Sequence, residues 1–232
     1  MENYSTTTRV INQSAVASLF KSTYMQMAAA LTVTALTAFF LGQSPAFEMM
    51  LASNPSLMWI AIFAELGVVV WLSARLFRMS MAKATLLFIL YSVLNGVTMS
   101  VIFLLYDPAV IAVTFAVTAG MFFVMSLIGF ITRMDLSKFG SIFMMLLVGI
   151  IIASVVNIFL GSETLYWVIT YIGVVVFVGL TAYDTNKLKQ IYTEHGDAGE
   201  AGQKLALMGA LTLYLDFINL FLFLLRIFGN RR

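Results

Sequence analysis

Long apolar runs, broken by short polar connectors, set the rhythm of the chain. Seven runs approach the ~20 residues that a spanning helix needs, at roughly 23–41, 57–74, 84–105, 109–131, 141–160, 165–183 and 205–228. Five connectors are brief: GQSPAFE, RLFRMSMAK, YDP, TRMDLSKFG and GSE. The sixth, DTNKLKQIYTEHGDAGEAGQK, is long, charged and glycine-containing, and is expected to be a solvated loop. The pattern predicts an all-α polytopic membrane protein with seven transmembrane helices. Residues 1–22 form a polar N-terminal segment, and 23–232 a single seven-helix domain without an internal repeat.

Composition agrees. The chain has 232 residues, 61% of them hydrophobic and only 10% charged, with mean hydropathy +0.97. A soluble domain carries about 25% charged residues, so this much apolar surface belongs in a bilayer. A net charge of +2 gives no reason to expect nucleic acid as a partner. The lack of cysteine excludes disulfides and thiolate metal sites. The opening MENYSTTTRVINQSAVASLF has no apolar core of the signal-peptide kind, and none is expected.

Basic residues orient the spans. Arg9 and Lys21 precede the first, Arg75, Arg78 and Lys83 follow the second, Arg133 and Lys138 the fourth, and Lys187, Lys189 and Lys204 the sixth. These connectors share one side, whereas the opposite ones hold Glu48, Asp107 and Glu163 and no base. The N-terminus is therefore expected in the cytoplasm. Trp59 and Trp167, at outer span ends, suit an interfacial belt. Seven crossings put Arg226, Arg231 and Arg232 outside, against the charge rule. A last span that only partly crossed would return the tail. The seventh stretch is long enough to span, so the C-terminus is expected outside.

Polar residues inside the spans fall into stripes. On the seventh, Gly209, Thr212, Asp216, Asn219, Phe223 and Arg226 recur at spacings of 3 and 4, on one helical face. Asp216 is the sharpest feature, because a mid-span carboxylate is costly and is functional by default. Asp184 ends the sixth span after Thr181, and its bland reading is an interfacial loop residue. Glu65 and Arg75 share one broad side of the second span, ~15 Å apart along the axis. Tyr91, Asn95 and Thr98 line the third span, and Ser154, Asn157 and Gly161 the fifth. Their bland reading is hydrogen-bonding glue between helices, and that of Arg75 and Arg78 is topology determination. The 20 Phe and 15 Met are packing and lipid-facing residues. The lone His195 has no further ligands nearby.

Three functions suit two membrane aspartates. The first is an ion path with a proton-sensitive gate. Two neighbouring carboxyls cannot both ionise cheaply, so one keeps its proton and the pair titrates as a unit. Proton loss would drive the helices apart or admit a cation, and hard carboxylate oxygens suit calcium. The second is an intramembrane aspartyl protease. AYD at 182–184 fits half of that signature, but LYL before Asp216 replaces the required Gly-x-Gly, which counts against proteolysis. The third is a non-transporting regulator of other membrane proteins.

YIGVVVFVGLTAYDTNKLK and GALTLYLDFINLFLFLLRIFG closely resemble the sixth and seventh helices of bacterial Bax-inhibitor-type proteins, the transmembrane BAX inhibitor motif family. AELGVVVWLSARLFRMS, LLFILYSVLNGVTMS and ITRMDLSKFGS are similar to it too, so the likeness runs from about residue 20 onward. It implies six helices around a central seventh, and a pH-sensitive calcium leak across a bacterial inner membrane. It implies that Asp184 and Asp216 form the pH sensor and gate, holding calcium transiently. An arginine latch falls to Arg75 or Arg78, and a helix-two glutamate to Glu65. Asn219, Thr212, Asn95 and Asn157 are candidates for the path lining. No catalysis and no cofactor are expected; calcium is cargo. The expected partners are the lipid bilayer, calcium ions and other membrane proteins. The alternative function is regulation of a membrane protease or of cell-death proteins.

Overall fold

Proline and capping residues mark several helix starts in the computed structural model, which describes residues 2–195 and 199–229 and side chains from Ser14 onward. The helices are α1 Glu2–Gly42, α2 Pro45–Ser53, α3 Ser56–Arg75, α4 Met81–Met99, α5 Val101–Leu105, α6 Pro108–Ile131, α7 Gly140–Leu160, α8 Glu163–His195 and α9 Glu200–Phe228. Two 3-10 turns, Leu76–Arg78 and Leu136–Phe139, lie in the connectors. No strand occurs among the described residues. Ser44 and Asp107 cap α2 and α6, each just before a proline whose missing N–H costs nothing in a first turn. α7 ends at Gly161, whose φ of 59° is the left-handed closure that favours glycine.

Among the described residues, seven helical stretches are long and apolar enough to cross a membrane: Ser14–Gly42, Ser56–Arg78, Met81–Leu105, Pro108–Ile131, Leu136–Leu160, Glu163–His195 and Glu200–Phe228. The fold is that of an all-α polytopic membrane protein. Arg9 lies in α1, its side chain outside the described set, and Arg231 and Arg232 lie outside the described residues.

The sixth connector departs from expectation. It is no continuous solvated loop: α8 runs on to His195, and α9 begins at Glu200. Leu188 and Tyr192 share a face there and are buried, so the charged stretch holds an amphipathic turn and a half that packing stabilises. α1 likewise begins far upstream of residue 23, with Leu19, Phe20 and Thr23 buried.

The chain forms two compact units. The first is the chain through Tyr106 plus Ile191–Tyr214, and the second is Asp107–Gln190 plus the chain from Leu215. In the first, α1 and α4 pack so closely that a Cβ on Gly96 would stand 2.8 Å from the Thr34 carbonyl oxygen. The Tyr192 hydroxyl meets Thr23 Oγ1 at 2.7 Å, and its ring meets Phe20 edge-on. In the second unit, Ile150, Ile169, Val176, Phe177, Leu180, Leu220, Phe223 and Leu224 make a core from α7, α8 and α9. α9 is the most enclosed helix: 72% of its most apolar window is buried, against 6% in Ser56–Arg78 and in Leu136–Leu160. Most of its leucines and phenylalanines are buried, whereas Phe63 and Leu66 of α3 and Leu146, Phe159 and Leu160 of α7 are exposed and left for lipid.

Candidate functional site

The second unit brings Asp184 of α8 and Asp216 of α9 together, with their carboxyl groups within hydrogen-bonding reach. Asp216 is 5% exposed, and its Oδ2 is buried with no donor among the described residues. Asp184 is half-buried, well inside α8 rather than at a helix end. The nearest base acting on Asp184 is Lys187, one turn along, exposed and lying over the Tyr183 ring at 5.8 Å. Two acceptors at this range call for a proton between them or a cation beside them. Among the described residues no cluster of three or more His, Cys, Asp or Glu exists. Two carboxylates offer at most four of the six to eight oxygens calcium prefers, so an ion there would retain water or borrow other oxygens.

The segment carrying Asp184 is tied to the end of α6. A Cβ on Gly129 would lie 2.9 Å from the Ala182 carbonyl carbon and closer still to its oxygen, so α6 and α8 cross at backbone contact. Just beyond, the Asn186 amide donates to Gly129 O at 3.1 Å and Lys189 Nζ donates to Phe130 O at 2.7 Å. These bonds satisfy carbonyls that a helix end leaves open, and the ammonium complements the negative end of the dipole. Asn186 Oδ1 accepts from Leu136 N at 3.4 Å, and Gln190 donates to Asp135 at 3.4 Å. Asp135 lies in the connector, and the Ser137 hydroxyl and N–H hold its carboxyl below the ordinary carboxylate range, helped by Gln190. One face of α8, from Ala182 to Gln190, is thereby fixed on the α6 connector.

The first unit gathers a separate polar cluster. Glu65 of α3 accepts from the Asn95 amide and, at 2.8 Å, from Thr98 Oγ1. The Tyr214 hydroxyl donates to Asn95 Oδ1 at 3.0 Å and meets Thr34 Oγ1 at 2.6 Å, which lies 2.9 Å from the Ser92 carbonyl. Helices α1, α3, α4 and α9 are thus joined by one hydrogen-bonded chain. The spacing of Tyr91, Asn95 and Thr98 foretold their shared face, while Tyr214, off the polar stripe, was missed.

The remaining candidates scatter. Arg75 and Arg78 are exposed, and neither joins an ion pair among the described residues. Thr212 and Asn219 are half-buried and bond back to Met208 O and Leu215 O of their own helix. Asn157 Oδ1 accepts from Ser162 N at 3.0 Å, which spends it on the turn after α7. Arg226 stacks over Tyr166 and Phe223 at 5.3 and 5.1 Å, an aromatic cradle for a charge at a span end. The span of α6 was expected, but its polar face was not singled out. Its Thr114, Thr118 and Ser126 are buried at intervals of four and eight, a helical period that was there to be read.

A chain with seven membrane-length helices, whose second unit sets two carboxyls face to face, defines a class of multi-pass membrane protein. Comparison with known proteins narrows it. The family model described as "Inhibitor of apoptosis-promoting Bax1" matches residues 16–232, and the chain belongs to this Bax inhibitor family. It is 52% identical over 211 residues to the inner membrane protein YbhL of Escherichia coli K12, covering 90% of each chain. It is 44% identical over 210 residues to RP147 of Rickettsia prowazekii, covering 90% of this chain and 87% of that one. A Deinococcus radiodurans protein is 43% identical over 210 residues, covering 90% and 89%.

Proposed function

We propose that this protein is a pH-sensitive calcium leak of a bacterial inner membrane, gated by a proton shared between Asp184 and Asp216. The observation that carries this reading is the facing pair itself, with Asp216 Oδ2 buried and lacking a donor among the described residues. A shared proton supplies that donor and ties α8 to α9 of the second unit. Its loss leaves two like charges, which separate the helices or take a hydrated divalent cation. The inner-membrane location is supported by the name of the Escherichia coli relative, and the cytoplasmic N-terminus by the basic connectors. No catalytic step and no cofactor enter the scheme.

Purified protein in liposomes loaded with a calcium dye tests the reading. Flux is expected to rise between about pH 6 and pH 8 and to lose that dependence in Asp216→Asn. Flux indifferent to both changes refutes the scheme. The family description favours a second reading, regulation of other membrane proteins. Absence of flux together with reproducible co-purification of one membrane partner would select it.

A further inference from the structure

Three buried side-chain polar atoms lack a hydrogen-bond partner among the described residues: Gln26 Oε1, Thr114 Oγ1 and Asp216 Oδ2. The last two belong to the second unit, and each adjoins in sequence a ring of one aromatic cluster. Phe217 of α9 packs edge-on against Phe122 at 5.5 Å and Phe115 at 5.2 Å, both from α6, and Phe115 also meets Phe221 at 6.1 Å. The buried face of α6 therefore reads hydroxyl, hydroxyl, ring, hydroxyl: Thr114, Thr118, Phe122 and Ser126 at steps of four. Ser126 Oγ lies 3.0 Å from Thr185 Oγ1, and Thr185 follows Asp184 directly.

Hydroxyls on a membrane helix ordinarily bond back to their own backbone, as Thr118 does to Thr114 O at 2.7 Å. Thr114 is fully buried and makes no such bond. A buried hydroxyl without a partner signals water or an ion at that place. We propose that the buried face of α6 lines a cation path through the second unit, in two hydroxyl stations separated by a hydrophobic gate. Thr114 and Thr118 form one station, Ser126 and Thr185 the other beside the acid pair, and the Phe122–Phe217 ring contact at the level between them is the gate. The occupant is a partly hydrated metal cation, which hydroxyl and carboxylate oxygens suit. A ring contact blocks it by expelling water rather than by charge. The proposal rests on the ion-leak reading and adds to it where the ion runs and what stops it. Thr114 and Ser126 are ~18 Å apart along the helix, so each station should be open to one side of the membrane only.

The natural absence of cysteine makes the test direct. Thr114→Cys, Thr118→Cys and Ser126→Cys, near-isosteric changes, are reconstituted and exposed to a membrane-impermeant cationic methanethiosulfonate from either side. Variants are retained only if they elute as the wild type does on size exclusion. Cysteine at 114 or 118 is expected to react at least tenfold faster from one side, and cysteine at 126 from the other. Adding Phe122→Ala should make Ser126→Cys reactive from both sides and raise calcium flux severalfold at about pH 6. Three unreactive cysteines, or all three reactive from one side, overturn the proposal. Sided labelling without wild-type calcium flux would instead keep the path and discard calcium as its cargo.

Discussion

Gly129→Ala probes the contact that positions Asp184. The new methyl would stand 2.9 Å from the Ala182 carbonyl carbon and 3.0 Å from its Cα. Both are backbone atoms, as is the still nearer carbonyl oxygen, so no rotamer change relieves the clash, and α6 and α8 must part by roughly an ångström. Overpacking of this kind costs about 1–3 kcal/mol. Parting the helices also stretches the bonds from Asn186 to Gly129 O and from Lys189 to Phe130 O, each worth about 0.5–1.5 kcal/mol. Gly120→Ala is the control. It lies on the same helix, its Cβ meets nothing within 4 Å, and it gains the same helix propensity of about 1 kcal/mol. Propensity cancels between the two variants, leaving a difference of about 2–6 kcal/mol, or roughly 4–24 °C in melting temperature for a chain of this size. Thermal unfolding of both in the same detergent is the assay. Equal melting temperatures would show that the crossing is not at backbone contact and refute the reasoning.

Tyr214→Phe removes the hydroxyl between Thr34 and Asn95 and should cost about 1–3 kcal/mol in the same assay, since it strips a buried acceptor of its donor. An unchanged melting temperature would mean that the Glu65 chain does not stabilise the first unit. Lys189→Met should cost about 1 kcal/mol by uncapping the end of α6, and Lys189→Arg should recover part of it. Equal losses in both would assign the effect to packing. Asp135 has a folded-state pKa below the ordinary ~3.9, so its contribution is present above that value and is lost as pH falls through the folded one. Melting temperature should therefore fall less steeply below about pH 4 in Asp135→Asn than in the wild type. Parallel acid profiles would contradict that sign.

The seven spans were legible because an apolar run of about twenty residues matches the thickness of a bilayer core and exceeds what a soluble helix needs to bury. The shared face of Asn95 and Thr98 followed from their spacing, whereas their meeting with Glu65 of α3 did not. The extension of α8 was hidden by charge: Lys187, Lys189 and Glu194 read as loop, while Leu188 and Tyr192, one turn apart, carried the helix signal. At Asn157 the sequence showed a polar residue in an apolar run but not the turn N–H of Ser162 that its side-chain oxygen accepts from. Tyr214 was missed because an aromatic ring among leucines reads as packing, and its hydroxyl matters only once Thr34 and Asn95 are placed beside it. Pairing of Asp184 with Asp216 rested on resemblance; periodicity reports the face of one helix and says nothing of which helix it meets.

The central claim is a proton held between two carboxyls, and infrared spectroscopy of the reconstituted protein reads that proton directly. A protonated-carboxyl band should be present at about pH 6, vanish by about pH 8, and be lost or strongly altered in Asp184→Asn and Asp216→Asn alike. A band that survives either substitution unchanged, or that titrates only near the ordinary carboxylate value of ~4, would contradict the shared proton and the gate built on it.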